Sequence, residues 1–186
     1  MIGADMTELS ISELEKRMRP GAWSTGGFLG ETESLESVIS DDANKLSPLN
    51  VTYKQLADTL EKILSSALDA YRRREFSSNH PDLYKPETIA GLTADTLLQT
   101  RRGEKYISGN FQVFIVVFRG WQECPWGCSE KNFAHFDFLL LNQARKEFVT
   151  GPGLITHLIR EHYFFEGRES PYRVDPTKLA YVLELT

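Results

Sequence analysis

"FQVFIVVFRGW", residues 111–121, is the stretch whose reading decides the fold class. Apolar residues fill both alternating positions, and β-branched and aromatic types dominate. The pattern therefore predicts a central strand covered on both faces. Downstream, "NFAHFDFLLLN" (132–142) predicts a second strand and "EFVTG" (147–151) a short third, with Asn142 to Lys146 as the connection between them. Strands this close in sequence predict an antiparallel meander.

Helical patterns lie on both sides of the meander. Thr52, followed three positions later by Gln55, is a capping box. Leu56, Leu60, Ile63, Leu64, Ala67, Leu68 and Tyr71 then form one apolar stripe, predicting a helix to about Glu75 that lies on the core. From Glu33, the spacing of Leu35, Val38, Ile39 and Leu46 is also helical, with a break expected near Asp41 and Asp42. Residues 7–18, "TELSISELEKRM", suit a short helix. "RPGAWSTGGFLG" then ends the pattern with Pro20, Gly21, Gly26, Gly27 and Gly30. Trp23, Phe28 and Leu29 in that stretch predict a loop packed on the body. "SSNHPDLYKPETIAG" (77–91) reads as a loop, with His80 as a surface residue. After the strands, Pro152 suits the first turn of a helix over 152–165, Gly167 its end, and "DPTKLAYVLEL" a closing helix capped by Asp175. The class is α+β: an antiparallel sheet of at least three strands packed against several helices. Residues 1–50 form an N-terminal segment packing on an α+β domain over 51–186.

Composition narrows the possibilities. A chain of 186 residues supports one full hydrophobic core. With 41% hydrophobic and 25% charged residues, neither disorder nor a fibrous repeat is suggested. No apolar run approaches the roughly 20 residues a spanning helix needs, and the N-terminus carries acids where a signal peptide has a basic region; a cytosolic protein is expected, without a membrane partner. The net charge of −5 and dispersed basic residues argue against nucleic acid as a partner. The short clusters in "YRRREF" and "TRRGEK" read as solvated helix ends.

Chemistry-bearing residues gather in two places. Cys124 and Cys128 stand in "ECPWGCSE", and His157 and His162 in "GPGLITHLIREHYFFEG" (151–167). Thiols in a reducing cytosol are metal-binding, redox-active or incidental. Joined to the two histidines they make the ligand set of a Cys2His2 zinc site. The Cys-x3-Cys spacing is wider than usual, and 28 residues lie between Cys128 and His157, where a small finger has about a dozen. On a helical projection Leu154, Ile155, Leu158 and Ile159 share an arc with His162 at its middle, while His157 and Glu161 lie on the flank. Residues five apart diverge by about 140°, so both imidazoles reach one metal only where the last turn deforms. The competing expectation is a core histidine satisfied by a carbonyl or side chain, in a metal-free interaction domain.

The second place is the strand, where His135 and Asp137 alternate onto one face, so that the carboxylate can orient the imidazole or both can hold a metal. The order His135-x-Asp137, then His157 or His162, resembles the facial triad of the non-haem iron(II), 2-oxoglutarate-dependent oxygenases. The resemblance covers about residues 135–173. It implies iron with open coordination positions. It also implies that Arg173, eleven residues past His162, holds the oxoglutarate carboxylate. That family builds its triad on a barrel of about eight strands, whereas here the second histidine reads as helical. A further possibility is a thiol nucleophile, Cys124 or Cys128, activated by His135 with Asp137 orienting it. In "SPYRVDP" (170–176), Arg173 could alternatively bridge to an aspartate or glutamate.

Overall fold

The structure, a computed structural model, describes residues 9–77, 89–128 and 134–186. His80 and most of the loop expected over 77–91 lie outside the described residues. In chain order the elements are α1 (Ile11–Met18), α2 (Leu35–Leu46), α3 (Tyr53–Arg72), α4 (Ala94–Leu98), β1 (Tyr106–Ser108), β2 (Phe111–Gln122), β3 (Ala134–Asn142), β4 (Glu147–Pro152), α5 (Ile155–His162) and α6 (Pro176–Val182). A 3-10 turn over Ser47–Leu49 joins α2 to the approach to α3. The class is α+β. Among the described residues, no helix is long and apolar enough to cross a membrane.

The four strands form one antiparallel sheet in the order β1-β2-β3-β4. Short strand β1, which pairs Tyr106 with Val113 and Ser108 with Phe111, is the addition to the three strands expected. The double apolar pattern of the central strand now has a cause. Val113 and Ile115 on β2, with Phe138 and Leu140 on β3, belong to the main core beneath α2, α3, α5 and α6. The alternate residues Phe114, Leu139 and Leu141 face a smaller cluster closed by Leu97 of α4. Coverage is one-sided in length, however. Gln112 to Val116 are buried, but Phe118 to Trp121 are exposed, so the strand emerges from the core at its C-terminal end.

Helix boundaries follow local chemistry. Thr52 caps α3 and exchanges hydrogen bonds with Gln55, as expected of the capping box. Asp175 accepts from the Thr177 and Lys178 amides to cap α6. Three expectations are corrected. The break near Asp41 and Asp42 does not occur: α2 runs through both, because Asp42 is buried and its carboxylate is bound by Arg173. Pro152 ends β4, pairing with Asp137, and does not open a helix. It sits on an edge strand, where its missing N–H is tolerated. Helix α5 is consequently shorter than 152–165. It stops at His162, because Tyr163 takes a left-handed conformation with φ 56°.

The N-terminal stretch joins the same core through Met18, Phe28 and Leu29, all with 0% exposure. Trp23 does not follow them: it stays 44% exposed, with the Arg17 guanidinium 4.6 Å from its ring centre. Among the basic clusters, Arg101 and Arg102 are exposed in a turn. Lys105 is buried, and its ammonium donates to the Leu97 and Leu98 carbonyls at the end of α4.

Candidate metal centre

Strand β2 ends at Gln122 and delivers Cys124 into a tight turn. The Gly127 amide donates to the Cys124 carbonyl at 2.9 Å, and Gly127 takes φ +76°, a conformation natural to glycine. The turn therefore folds Cys128 back beside Cys124. The Arg17 guanidinium donates to the Pro125 carbonyl at 3.0 Å and ties the turn to α1. The partner element is α5, whose apolar face packs on α3 and whose C-terminal end carries His162 to the cysteines.

The result is a cluster in which one ligand atom from each of Cys124, Cys128, His157 and His162 lies within 4.8 Å of every other. The two sulfurs are 3.7 Å apart, and the His162 Nε2 is 3.3 Å from each. A zinc ion with Zn–S near 2.3 Å and Zn–N near 2.05 Å at tetrahedral angles spans S···S edges of about 3.8 Å and S···N edges of about 3.5 Å. Three edges of the tetrahedron are thus in place within a few tenths of an ångström. Bringing in His157 takes a shift on the order of 1 Å, the scale of a small side-chain adjustment.

The ladder of α5 ends at its second histidine. Tyr163 N–H bonds to both the Ile159 and Leu158 carbonyls, and Phe164 N–H reaches back to Leu158, so the regular ladder gives way directly after His162. The two imidazoles converge with ring centres 5.2 Å apart and planes at 74°. Burial is the reverse of the helical projection. His157, expected on the flank, is buried, while His162, expected at the centre of the arc, is half-buried. Trp126, between the two cysteines, lies parallel to the His162 ring, with centres 4.0 Å apart and planes at 4°, and closes that side. Phe164 meets the same indole edge-on.

The electrostatics suit a cation. Burial pushes the Cys124 thiol up to about 12, against the backbone amides of Trp126 and Cys128, which favour its thiolate. Burial and then the neighbouring His157 push His162 down to about 4, keeping its imidazole neutral, the form that binds metal. A metal ion in the cluster supplies the positive charge that makes two adjacent thiolates tolerable.

The other candidates sit elsewhere. His135 and Asp137 both line an open cleft at the end of the sheet, and neither joins the cysteine cluster. The histidine at the thiols is His162, not His135, so the expected Cys–His135 pairing is not formed. The Arg173 guanidinium forks onto Asp42 and donates to the Glu166 carbonyl, which realises the bridging alternative. Among the described residues, the Cys124, Cys128, His157 and His162 group is the one assembly of three or more histidine, cysteine or acidic side chains with metal-binding geometry.

Sequence reading passed over the segment leaving His162. Glu166 is fully buried at φ 67°, and its carboxyl accepts from the Ser170 hydroxyl at 2.5 Å. Burial, reinforced by Asp137, pushes it up to about 8. Only an apolar run around an acid, "YFFEG", hinted at this. Because the folded value lies above the ordinary carboxyl range near 4.3, the stabilisation that comes with the protonated form is complete below about pH 4.5. It is lost as pH rises through about 8. Glu166→Gln is therefore expected to flatten the fall in stability between pH 5 and pH 8 by at least about 1.4 kcal/mol, read from urea midpoints across that range. An unchanged slope in the Gln protein would rule this origin out.

Set against protein-family models, curated proteins and solved structures, the chain matches none of them.

Proposed function

We propose that this chain is a zinc-binding structural or interaction domain in which Cys124, Cys128, His157 and His162 hold one zinc ion. The observation that carries the reading is the set of sulfur and nitrogen separations of 3.7, 3.3 and 3.3 Å, which are close to the edges of a zinc tetrahedron. A donor set of two thiolates and two imidazoles, three of them already near tetrahedral spacing, selects zinc over the harder divalent ions. Four protein ligands leave no open position, and Trp126 shields the His162 side, so the metal's role is to tie the turn after β2 to the end of α5. Two thiols held free for a metal support a reducing compartment, such as the cytoplasm, as the setting of this domain.

Elemental analysis of the purified chain beside its Cys124→Ser variant tests the reading. About one zinc per chain, lost in the variant, is expected. Iron retained in the variant would instead favour a non-haem metal enzyme built on His135 and Asp137. Absence of metal from both would leave a metal-free interaction domain.

A further inference from the structure

Beyond the metal cluster, the β2–β3 ladder is interrupted. Val117 pairs with Phe136, but the next pair is Gln122 with Ala134, so residues 118–121 of β2 bulge out of register. Bulges of this kind re-aim side chains and cluster beside binding sites. Here the bulge turns two large rings outward: Phe118 is 47% and Trp121 74% exposed. Beside them opens a cleft of about 320 Å³, lined by Phe118, Trp121, Tyr172, His135, Asp137 and the turn at Ser24 to Gly26.

Asp137 gives the cleft its character. Its side chain is half-buried at the cleft, and among the described residues it has neither a hydrogen-bond donor nor a neighbouring cation. Burial alone pushes it up to about 7. Its charge contributes in turn to raising Glu166 and Tyr172, so the described acidic groups around the cleft reinforce one another. A carboxylate in this setting is stabilised by a positive partner, and the aromatic rings beside it attract cations through their faces.

We propose that this cleft binds a small organic cation through a quaternary ammonium group, seated against Trp121, Phe118 and Tyr172 with Asp137 as its counter-charge. A primary ammonium has three N–H donors to satisfy, whereas a methylated one presents only a diffuse charge and apolar surface, which suits walls made largely of rings. The cleft volume matches a small molecule and not an extended chain.

Calorimetric titration of the full chain with choline, and with dimethylbutanol, its uncharged carbon isostere, tests the assignment. Choline is expected to saturate one site and to bind at least about tenfold more tightly than the isostere. Asp137→Asn and Trp121→Ala are each expected to weaken choline about tenfold or more. Trp121 is an exposed side chain, so its variant folds as the parent does, and circular dichroism checks both proteins. Equal binding of choline and its isostere would overturn the proposal, as would undiminished affinity in Asp137→Asn or no saturable choline binding. Tighter binding of a trimethyllysine peptide than of choline would overturn the assignment to a free small molecule.

Discussion

Cys124→Ser is expected to purify without zinc and to unfold on the order of 10 °C below the parent, a loss of about 4 kcal/mol at the two to four degrees per kcal/mol typical of a chain this size. The loss is expected to be smaller than the metal's full binding energy, because the domain keeps its own core between the sheet and helices α2, α3, α5 and α6. What is lost is the link between the Cys124–Cys128 turn and the end of α5, together with the order that link imposes on Trp126 and His162. Packing alone gives a different result. Cys124 is buried, and exchanging its sulfur for a hydroxyl costs something in any event. A chelator separates the two effects: it is expected to lower the parent's midpoint toward that of the variant and to leave the variant where it is. A parent indifferent to chelation, with the variant still destabilised, would show that the cysteine is a core residue and not a ligand.

The clustering of these four residues was legible in the sequence because thiol and imidazole chemistry depends on residue type, and two Cys and two His at permitted spacings restrict the options severely. Which histidine is buried was not legible. The helical projection of α5 places His162 inward and His157 on the flank, but His157 is the buried one and His162 half-buried, since a projection of one helix leaves out the cysteine turn and the other segments that pack around it. The strands of the meander were legible for the same reason that β2 is apolar on both faces: each face has its own cluster to fill. The bulge at 118–121 was not, since Phe118 and Trp121 continue the apolar pattern while pointing into solvent. Nor was the continuity of α2. A pair of aspartates looks like a helix end when the arginine that pairs with one of them lies 131 residues along the chain.

That pair leads to the second large effect. Asp42 is 1% exposed and the Arg173 side chain 12%, and the two are joined by a fork, Nη2 to Oδ1 at 2.5 Å and Nη1 to Oδ2 at 3.1 Å. Arg173 also donates to the Glu166 carbonyl, so one guanidinium fastens α2 to the segment that leaves His162. Removing one member of such a pair strands the other charge in a low-dielectric site, at a cost of about 3–5 kcal/mol. Asp42→Leu is expected to fall in that range by urea denaturation. Arg173→Met should fall there too, because the Lys45 ammonium, 3.8 Å from Asp42 and itself 43% exposed, replaces little of the guanidinium. The double replacement Asp42→Leu with Arg173→Met leaves no stranded charge. It is expected to be less destabilised than either single variant, since an apolar pair of similar volume often matches a buried ion pair. If the loss in the double variant instead equals the sum of the two single losses, the two residues act independently and the fork contributes nothing as a unit. Zinc content separates this pair from the proposed metal centre: it is expected to stay at one per chain in the folded fraction of all three proteins, because none of the four proposed ligands is touched. Its disappearance would mean that the segment held by Arg173 also sets the position of His162.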